Sequence, residues 1–204
     1  MMDTRAVTSP AQDAHEPLLA RMRRRRVSRE FTGAPVAAAD VRLILEAGRW
    51  ASSASNLHIH KFVVVDDPRL VDLVKEVSPG ILGNPTTLIV ICTDLARCQE
   101  VGVRPHLDRT RYIDVGTAAM NMLLMAQDVR LGACPVTSFS QRAVALLLDL
   151  PATLIPELMV LLGHPLPSRR SLRAGAHTQL TVEDLSFIAR PDQGLQRLAP
   201  EDAV

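Results

Sequence analysis

The sequence contains few cysteines and few aromatic residues, and it has no excess of charge of either sign. Its three cysteines, Cys92, Cys98 and Cys134, include no C-x-x-C pair and no metal-type spacing, which argues against a disulfide framework and a zinc site. The 23 basic and 22 acidic residues give a formal net charge of +1, so we expect no nucleic-acid partner. Any preference for anions must therefore come from a local cluster of basic residues.

Long apolar runs are also absent. No segment approaches the roughly 20 apolar residues that a membrane-spanning helix requires, and the N-terminal residues lack the apolar core of a secretory signal. Unpaired cysteines are typical of a reducing compartment. These absences predict a cytoplasmic protein with neither a membrane partner nor a bound metal.

An apolar content of 47% in 204 residues is enough to build one sizeable hydrophobic core. Residues 1–15 are polar and show no periodicity, so we expect a disordered leader. Residues 16–175 carry the periodic apolar segments and form the predicted domain. Residues 176–204 are again polar, and we interpret them as an extended C-terminal arm that lies over the surface of a partner subunit.

The apolar pattern predicts both helices and strands within that domain. Short apolar runs typical of buried strands occur at residues 62–65, 88–92 and 158–162. The longest helical pattern covers residues 108–131 and is rich in alanine, glycine and methionine, with Ile113, Gly116 and Met120 on one side. We expect this helix to be buried nearly all round, in the core and against a second subunit.

A basic segment follows the first helical pattern. Arg25, Arg26 and Arg29 lie close together at the point where a helix passes into a loop. The guanidinium fork matches the geometry of phosphate oxygens and stays charged, which makes the segment a candidate phosphate site. A solvated basic face is the commoner explanation of an isolated arginine run, so other segments must decide between the two.

Four segments together resemble the nitroreductase family, in its order and at its spacing. They are RRVSREF at residues 25–31, ASSASNLHIHKF at residues 51–62, GACPVTSF at residues 132–139 and GHP at residues 163–165. The resemblance extends over about residues 17–175. It implies an α+β fold in which helices flank a central mixed or antiparallel sheet, an intertwined homodimer, and FMN as the cofactor.

The resemblance also implies roles for individual residues. Contacts to the ribityl phosphate and the pyrimidine edge of FMN are expected from Arg25, Arg26 and Arg29. Ser53 and Asn56 would be supplied by the other subunit. Each flavin would therefore lie between two subunits.

The segment after the long helix would form a wall beside the flavin ring. Its expected contacts are Pro135, Val136 and Ser138, with a main-chain N–H near Ser138 directed at the flavin N5 atom. Arg169 and Arg170 occupy a position where the family often has basic residues for the phosphate. Solvent-exposed tail arginines explain these two residues equally well.

The sequence departs from the family pattern above the flavin. His58, Ile59 and His60 stand where glutamine, proline and tryptophan are usual. An imidazole titrates near neutral pH, so His58 is a candidate acid or base for substrate protons. Polar packing is the favoured alternative for both histidines, and a metal site is disfavoured because the spacing places no third ligand.

Within the family, residues 78–85 and 132–139 most resemble the catalytic subunit of cyclodipeptide oxidases of the albonoursin synthase type. That resemblance implies O2-dependent Cα–Cβ dehydrogenation of a cyclic dipeptide-like substrate, and a small second subunit in a higher assembly. An NAD(P)H-dependent nitro or quinone reductase is the first alternative, and a non-catalytic flavin-binding protein is the second. Either enzyme would pass hydride through flavin N5 in a ping-pong reaction. The sequence has no G-x-G-x-x-G after a strand, so a nicotinamide would bind only transiently.

Overall fold

The computed structural model describes residues 18–105, 109–166, 181–190 and 194–197. The chain divides into two compact units, Met1–Leu166 and Pro167–Val204. The helices of the first unit are α1 (residues 18–24), α2 (Ala38–Arg49), α3 (Pro68–Glu76), α4 (Leu95–Glu100), α5 (Thr110–Asp128) and α6 (Gln141–Leu147), with a 3-10 turn at Ala54–Asn56. Its strands are β1 (His60–Val65), β2 (Thr87–Asp94), β3 (Gly132–Val136) and β4 (Leu154–Gly163).

The four strands form one antiparallel sheet in the order β1-β2-β4-β3. The inner strands β2 and β4 contain the predicted runs at residues 88–92 and 158–162, which confirms both as central strands. The prediction of a fully buried strand at residues 62–65 is wrong: β1 is an edge strand, so solvent reaches its outer side and Val64 is 37% exposed. Strand β3 forms the other edge, where Pro135 is tolerated.

Helices cover both faces of the sheet. Because alternate residues of a strand point to opposite faces, Ile89 and Ile91 of β2 pack with α2 and α5. Leu88 and Val90 of the same strand pack with α3 and α6. These layers confirm the predicted α+β fold, in which helices flank an antiparallel sheet.

Helix α5 confirms the long helical pattern, although it covers Thr110–Asp128 and residue 108 lies outside the described residues. Its small residues, such as Ala118, form a fully buried face against the sheet. The expected burial nearly all round included a second subunit, and that part of it stays a prediction. The sheet and α2 cover only part of its surface, and they leave Ile113 and Met120 62% and 47% exposed.

The second unit contains a short helix, α7 (Val182–Leu185), and a hairpin of β5 (Phe187–Arg190) and β6 (Gly194–Arg197). Thr181 caps α7 through a reciprocal pair of hydrogen bonds with Asp184. The predicted leader at residues 1–15 and the predicted phosphate contacts Arg169 and Arg170 lie outside the described residues. Within the described part of the chain, no helix has the length and apolar character needed to cross a membrane.

Candidate active site

Three of the four recognised segments meet at one end of the sheet. The arginine segment leaves α1 and runs beside β3, where the Ser28 N–H donates to the Ala133 carbonyl at 3.0 Å. It then pairs with the residues that follow β4, through a bridge between Phe31 and Pro165 and a 3.0 Å bond from the Leu166 N–H to the Glu30 carbonyl. Residues 25–31, 132–139 and 163–165 therefore form one structural cluster.

Two glycines make this close packing possible. A Cβ at Gly132 would lie 2.7 Å from the Cβ of Ser28, and a Cβ at Gly163 would lie 2.7 Å from the ring of Phe31. Both distances are far below van der Waals contact. Ser28 and Phe31 of the first segment therefore leave no room for a side chain at Gly132 of the third segment or Gly163 of the fourth.

The loop at residues 78–85, which is rich in proline and glycine, packs against the same cluster. The Gly80 N–H donates to the Ser138 carbonyl at 3.0 Å, and a Cβ at Gly80 would lie 2.6 Å from Val136. Gly83 has a φ of +71°, and a Cβ added to it would overlap the carbonyl oxygen of Arg29. This loop consequently fixes the position of both the arginine segment and the turn after β3.

The three predicted arginines have different surroundings. Nη1 of Arg26 donates to the carbonyl oxygens of Arg23 and Arg25, at 2.6 and 3.0 Å, and so caps the C-terminal end of α1. Arg25 is half-buried, and Arg29 is exposed and lies beside Cys134. Burial raises the pKa of the Cys134 thiol, and the charge and hydrogen bond of Arg29 partly oppose that rise.

The predicted wall residues point in two directions. Pro135 and Ser138 are exposed. Val136 is only 5% exposed, and its side chain packs in the core next to Gly80. The exposed wall of the cluster is therefore formed by Pro135 and Ser138.

The second recognised segment, residues 51–62, lies in a different part of the structure from this cluster. It joins the N-terminal half of α5, where the Ala54 N–H donates to Asp114 Oδ1 at 3.0 Å. Helix α1, which leads into the arginine segment, joins the other end of α5 through Gln127 Nε2 and the Arg21 carbonyl, at 3.1 Å. Thirteen residues of helix, at 1.5 Å each, separate these two attachment points by about 20 Å. Within one chain, the turn with Ser53 and Asn56 and the helix that leads into the arginine segment are thus attached to opposite halves of α5.

The turn that carries Ser53 and Asn56 has an unusual backbone. Ser55, Asn56 and His58 have φ values of 49°, 57° and 49°, in the left-handed region that non-glycine residues rarely adopt. Nε2 of His58 lies 2.8 Å from Asn56 Oδ1, and the His58 N–H donates to Ser53 Oγ at 3.3 Å. Such strain persists only where the surroundings hold the backbone firmly.

A buried polar pair, His60 and Asp114, lies beside this turn, and Asp114 was not identified from the sequence. His60 is 8% exposed and Asp114 is 2% exposed. Burial lowers the pKa of His60, and the negative charge of Asp114 partly opposes that shift. The only sequence signal is an acid among apolar residues of α5, such as Val115 and Ala118, and an isolated acid in a helix has many ordinary explanations.

A buried ion pair lies at the opposite end of the sheet from the arginine cluster. Arg111 Nη1 is 3.5 Å from Glu157 Oε1, which also accepts a 2.9 Å hydrogen bond from Thr93 Oγ1. Burial, with a smaller contribution from the charge of Glu157, raises the pKa of Cys92 to about 12. These contacts join α5, β2 and β4, and none of the recognised segments contributes to them.

The fold and the cluster define a class of α+β protein, in which a basic segment and a glycine-dependent turn meet beside an edge strand of an antiparallel sheet. A family model described as "Nitroreductase family" matches residues 22–79 and 69–164. The chain belongs to the nitroreductase family. The match includes the first three recognised segments and reaches into the fourth.

Individual relatives agree with this assignment. The chain is 30% identical over 152 residues to an "NADPH-dependent oxidoreductase" of Staphylococcus epidermidis, over 67% of this chain and 60% of that protein. It is 25% identical over 175 residues to an "NADPH-flavin oxidoreductase" of Vibrio harveyi, over 77% and 73% of the two chains. The chain thus spans 60% of the length of the Staphylococcus relative.

Solved structures show the same fold. A "Putative NADH dehydrogenase/NAD(P)H nitroreductase" from Parabacteroides distasonis has a TM-score of 0.66 at 23% identity, over 75% of this chain and 89% of that one. An "FMN-dependent Nitroreductase" from Clostridium difficile has a TM-score of 0.64 at 21% identity, over 74% and 89%. The predicted nitroreductase-like fold is confirmed.

Proposed function

We propose that this chain is an FMN-dependent oxidoreductase that works as a homodimer, with each flavin bound between the two subunits. One observation carries the proposal. The turn with Ser53 and Asn56 and the helix that leads into the arginine segment attach to one chain at points about 20 Å apart along α5. In the proposed homodimer, Ser53 and Asn56 of one subunit would complete the flavin site at the arginine cluster of the other.

The residues of the arginine cluster fit FMN. Arg25 and Arg29 supply positive charge for the phosphate and for the polar edge of the ring, and Arg29 lies beside Cys134 of β3. Bound FMN would supply hydride transfer at its N5 atom. The chain holds its side of the site rigid, because the Ser138 carbonyl is bonded to Gly80 and the turn cannot rotate freely. The proposed phosphate contacts from Arg169 and Arg170 remain predictions.

The exposed side of α5 supports the homodimer. Ile113, Gly116 and Met120 follow one another at helical spacing and are all exposed in the single chain. Nothing lies within 4 Å of the position of a Cβ on Gly116, so another backbone could approach closely there. An apolar stripe of this kind is typical of a subunit interface, and a twofold axis would place the same stripe on both subunits.

For the reaction, we propose NAD(P)H as the electron donor and a nitroarene or quinone as the acceptor. The names of the Staphylococcus and Vibrio relatives, which both include NADPH, support the choice of donor. The second candidate is O2-dependent dehydrogenation of a cyclic dipeptide, which would require the small second subunit. It is favoured by residues 78–85, which resemble that subclass and pack directly against the turn after β3.

Anaerobic bleaching of the flavin separates these candidates. We expect the purified full-length protein to be yellow and to bleach on addition of NADPH or NADH. Bleaching by a cyclic dipeptide but not by a nicotinamide would select the oxidase instead. A yellow protein that neither compound bleaches would be a non-catalytic flavin carrier or an oxidase subunit without its small second subunit. A colourless protein that takes up no added FMN would refute the proposal.

The placement of the flavin is tested by an arginine double variant. Arg25→Ala with Arg29→Ala should bind FMN at least about 100-fold more weakly, since charge-assisted hydrogen bonds contribute about 1.5–3 kcal/mol each. Arg69→Ala, which removes an exposed arginine from α3, is the matched control and should leave FMN affinity unchanged. Full flavin occupancy in the double variant would show that the cluster is not the flavin site.

A further inference from the structure

The carboxylate of Asp114 is buried below the turn that carries Ser53 and Asn56. Only 2% of the residue is exposed, and its Oδ1 accepts the 3.0 Å hydrogen bond from the Ala54 N–H. Its Oδ2 is buried without a hydrogen-bond partner among the described residues. Burial of a carboxylate with one unsatisfied oxygen costs folding free energy, so stability alone does not explain an aspartate at this position.

The turn above Asp114 has few other attachments to the body of the protein. Thr117, one helical turn further along α5, donates from Oγ1 to the Ser52 carbonyl at 3.0 Å. A further attachment is the Leu57 carbonyl, which accepts from Arg97 Nε of α4 at 3.3 Å. The bonds between Ser53, Asn56 and His58 are internal to the turn. Asp114 and Thr117 therefore tie a strained backbone to the rigid central helix.

His60 completes the surroundings of the carboxylate. Its imidazole is buried, its Nδ1 has no hydrogen-bond partner in the described part of the chain, and it interacts electrostatically with Asp114. The other titratable groups that act on His60 are His58 and Lys61 of its own segment. Lys61 Nζ lies 3.8 Å from Asp94 Oδ2 of β2. Asp114 is thus the acidic group from α5 whose charge partly offsets the effect of burial on the pKa of His60.

We propose that Asp114 is a positioning residue for the flavin site, which holds the Ser53–Asn56 turn of one subunit in the shape that reaches the flavin of the partner. The inference rests on the proposed function, in which that turn contributes to a site shared between subunits. Asp114 acts as an acceptor for the Ala54 N–H and has no direct contact with the cofactor. Removal of the acceptor frees a backbone that can leave its left-handed conformation.

The test compares two substitutions at this position in the full-length protein. Asp114→Ala removes the acceptor and should weaken FMN binding roughly 10- to 100-fold, measured by quenching of FMN fluorescence on titration with apoprotein. Asp114→Asn keeps an oxygen that can accept from Ala54, so its FMN affinity should stay within about threefold of the wild type. Thr117→Val removes the second attachment and should cause a smaller loss in the same direction.

Two further measurements separate positioning from general damage. In the apoprotein, hydrogen exchange of the Ala54 amide should be faster in Asp114→Ala and unchanged in Asp114→Asn. Asp67→Ala is the matched control, because Asp67 also accepts main-chain hydrogen bonds, from Arg69 and Leu70 at the start of α3. It should lower the melting temperature and leave FMN affinity unchanged.

The outcomes distinguish this inference from the proposed function. A wild-type protein that binds no FMN would refute the proposed function itself. If the wild type binds FMN and Asp114→Ala binds it equally well, the inference is overturned and the proposed function stands. Equal losses in Asp114→Asn and Asp114→Ala, or in Asp67→Ala, would also overturn it, because acceptor chemistry at this turn would then not matter. Should Asp114→Ala fail to fold, Thr117→Val replaces it in the test. Unchanged FMN affinity in Thr117→Val would then overturn the inference.

Discussion

Two variants that each damage a different half of the site should restore function when they are mixed. Arg29→Ala removes a cation from the arginine cluster, and the pair Ser53→Ala with Asn56→Ala removes the polar groups of the distant turn. In a shared site, each homodimer of a variant chain contains two damaged sites. A mixed dimer contains one site with both defects and one site with neither.

The size of the recovery follows from the symmetry of the dimer. When equal amounts of the two chains exchange at random, about half of the dimers are mixed and one of their two sites is intact, so about a quarter of all sites regain full affinity. The calculation treats the two halves as separate, in line with their attachment points about 20 Å apart along α5. Each homodimer should bind FMN about 10- to 100-fold more weakly, as expected for a lost charge-assisted hydrogen bond.

The assay is an FMN titration of apoprotein, either produced by co-expression of both chains or mixed after partial unfolding and refolding. We expect two phases, of which the tight phase accounts for about a quarter of the sites and has the wild-type dissociation constant. The same titration on each variant alone supplies the baseline. A mixture that titrates as the plain sum of its two components would show that each flavin is held by a single chain.

The remaining predictions concern single residues. Gly83→Ala should destabilise the protein by about 1–3 kcal/mol and lower flavin occupancy, because the new methyl group would overlap the Arg29 carbonyl. Gly102 has the same positive φ with open space around it, so Gly102→Ala is the control. Calorimetry should show a smaller loss of stability for Gly102→Ala, and its flavin occupancy should not change. The native protein should react with no thiol reagent at pH 8 and with all three cysteines in denaturant, since each is buried and the pKa of Cys92 is raised to about 12; a thiol that reacts in the native state would contradict this. Burial lowers the pKa of His60, so the unfolded state takes up the proton first and the free energy of unfolding should fall as the pH drops below about 6.5. His60→Gln should show a weaker pH dependence of the melting temperature, and an unchanged dependence would rule out this contribution.

Much of the fold could be predicted because its signals are local. The apolar runs at residues 88–92 and 158–162 are long enough to identify β2 and β4, and the four family segments identify the fold. The position of a strand within the sheet depends on pairing between distant residues. That is why residues 62–65 have the composition of a buried strand and nevertheless form an edge.

The candidate site was predictable to a different extent in its two halves. Sequence motifs identify the arginine segment and the turn after β3, and the glycines between them explain how they meet. Asp114 could not be found in this way, because its contact with Ala54 joins residues 60 positions apart. Such a contact becomes visible only when helix α5 and the turn are seen together.

The division of the site along α5 has a consequence for how the protein retains its cofactor. If each chain supplies half of every binding site, then dilution that separates the subunits must also release FMN. By mass action the reverse holds as well, and added FMN should drive association at concentrations where the apoprotein is monomeric. Cofactor supply and chain concentration would then jointly set the amount of competent protein in solution.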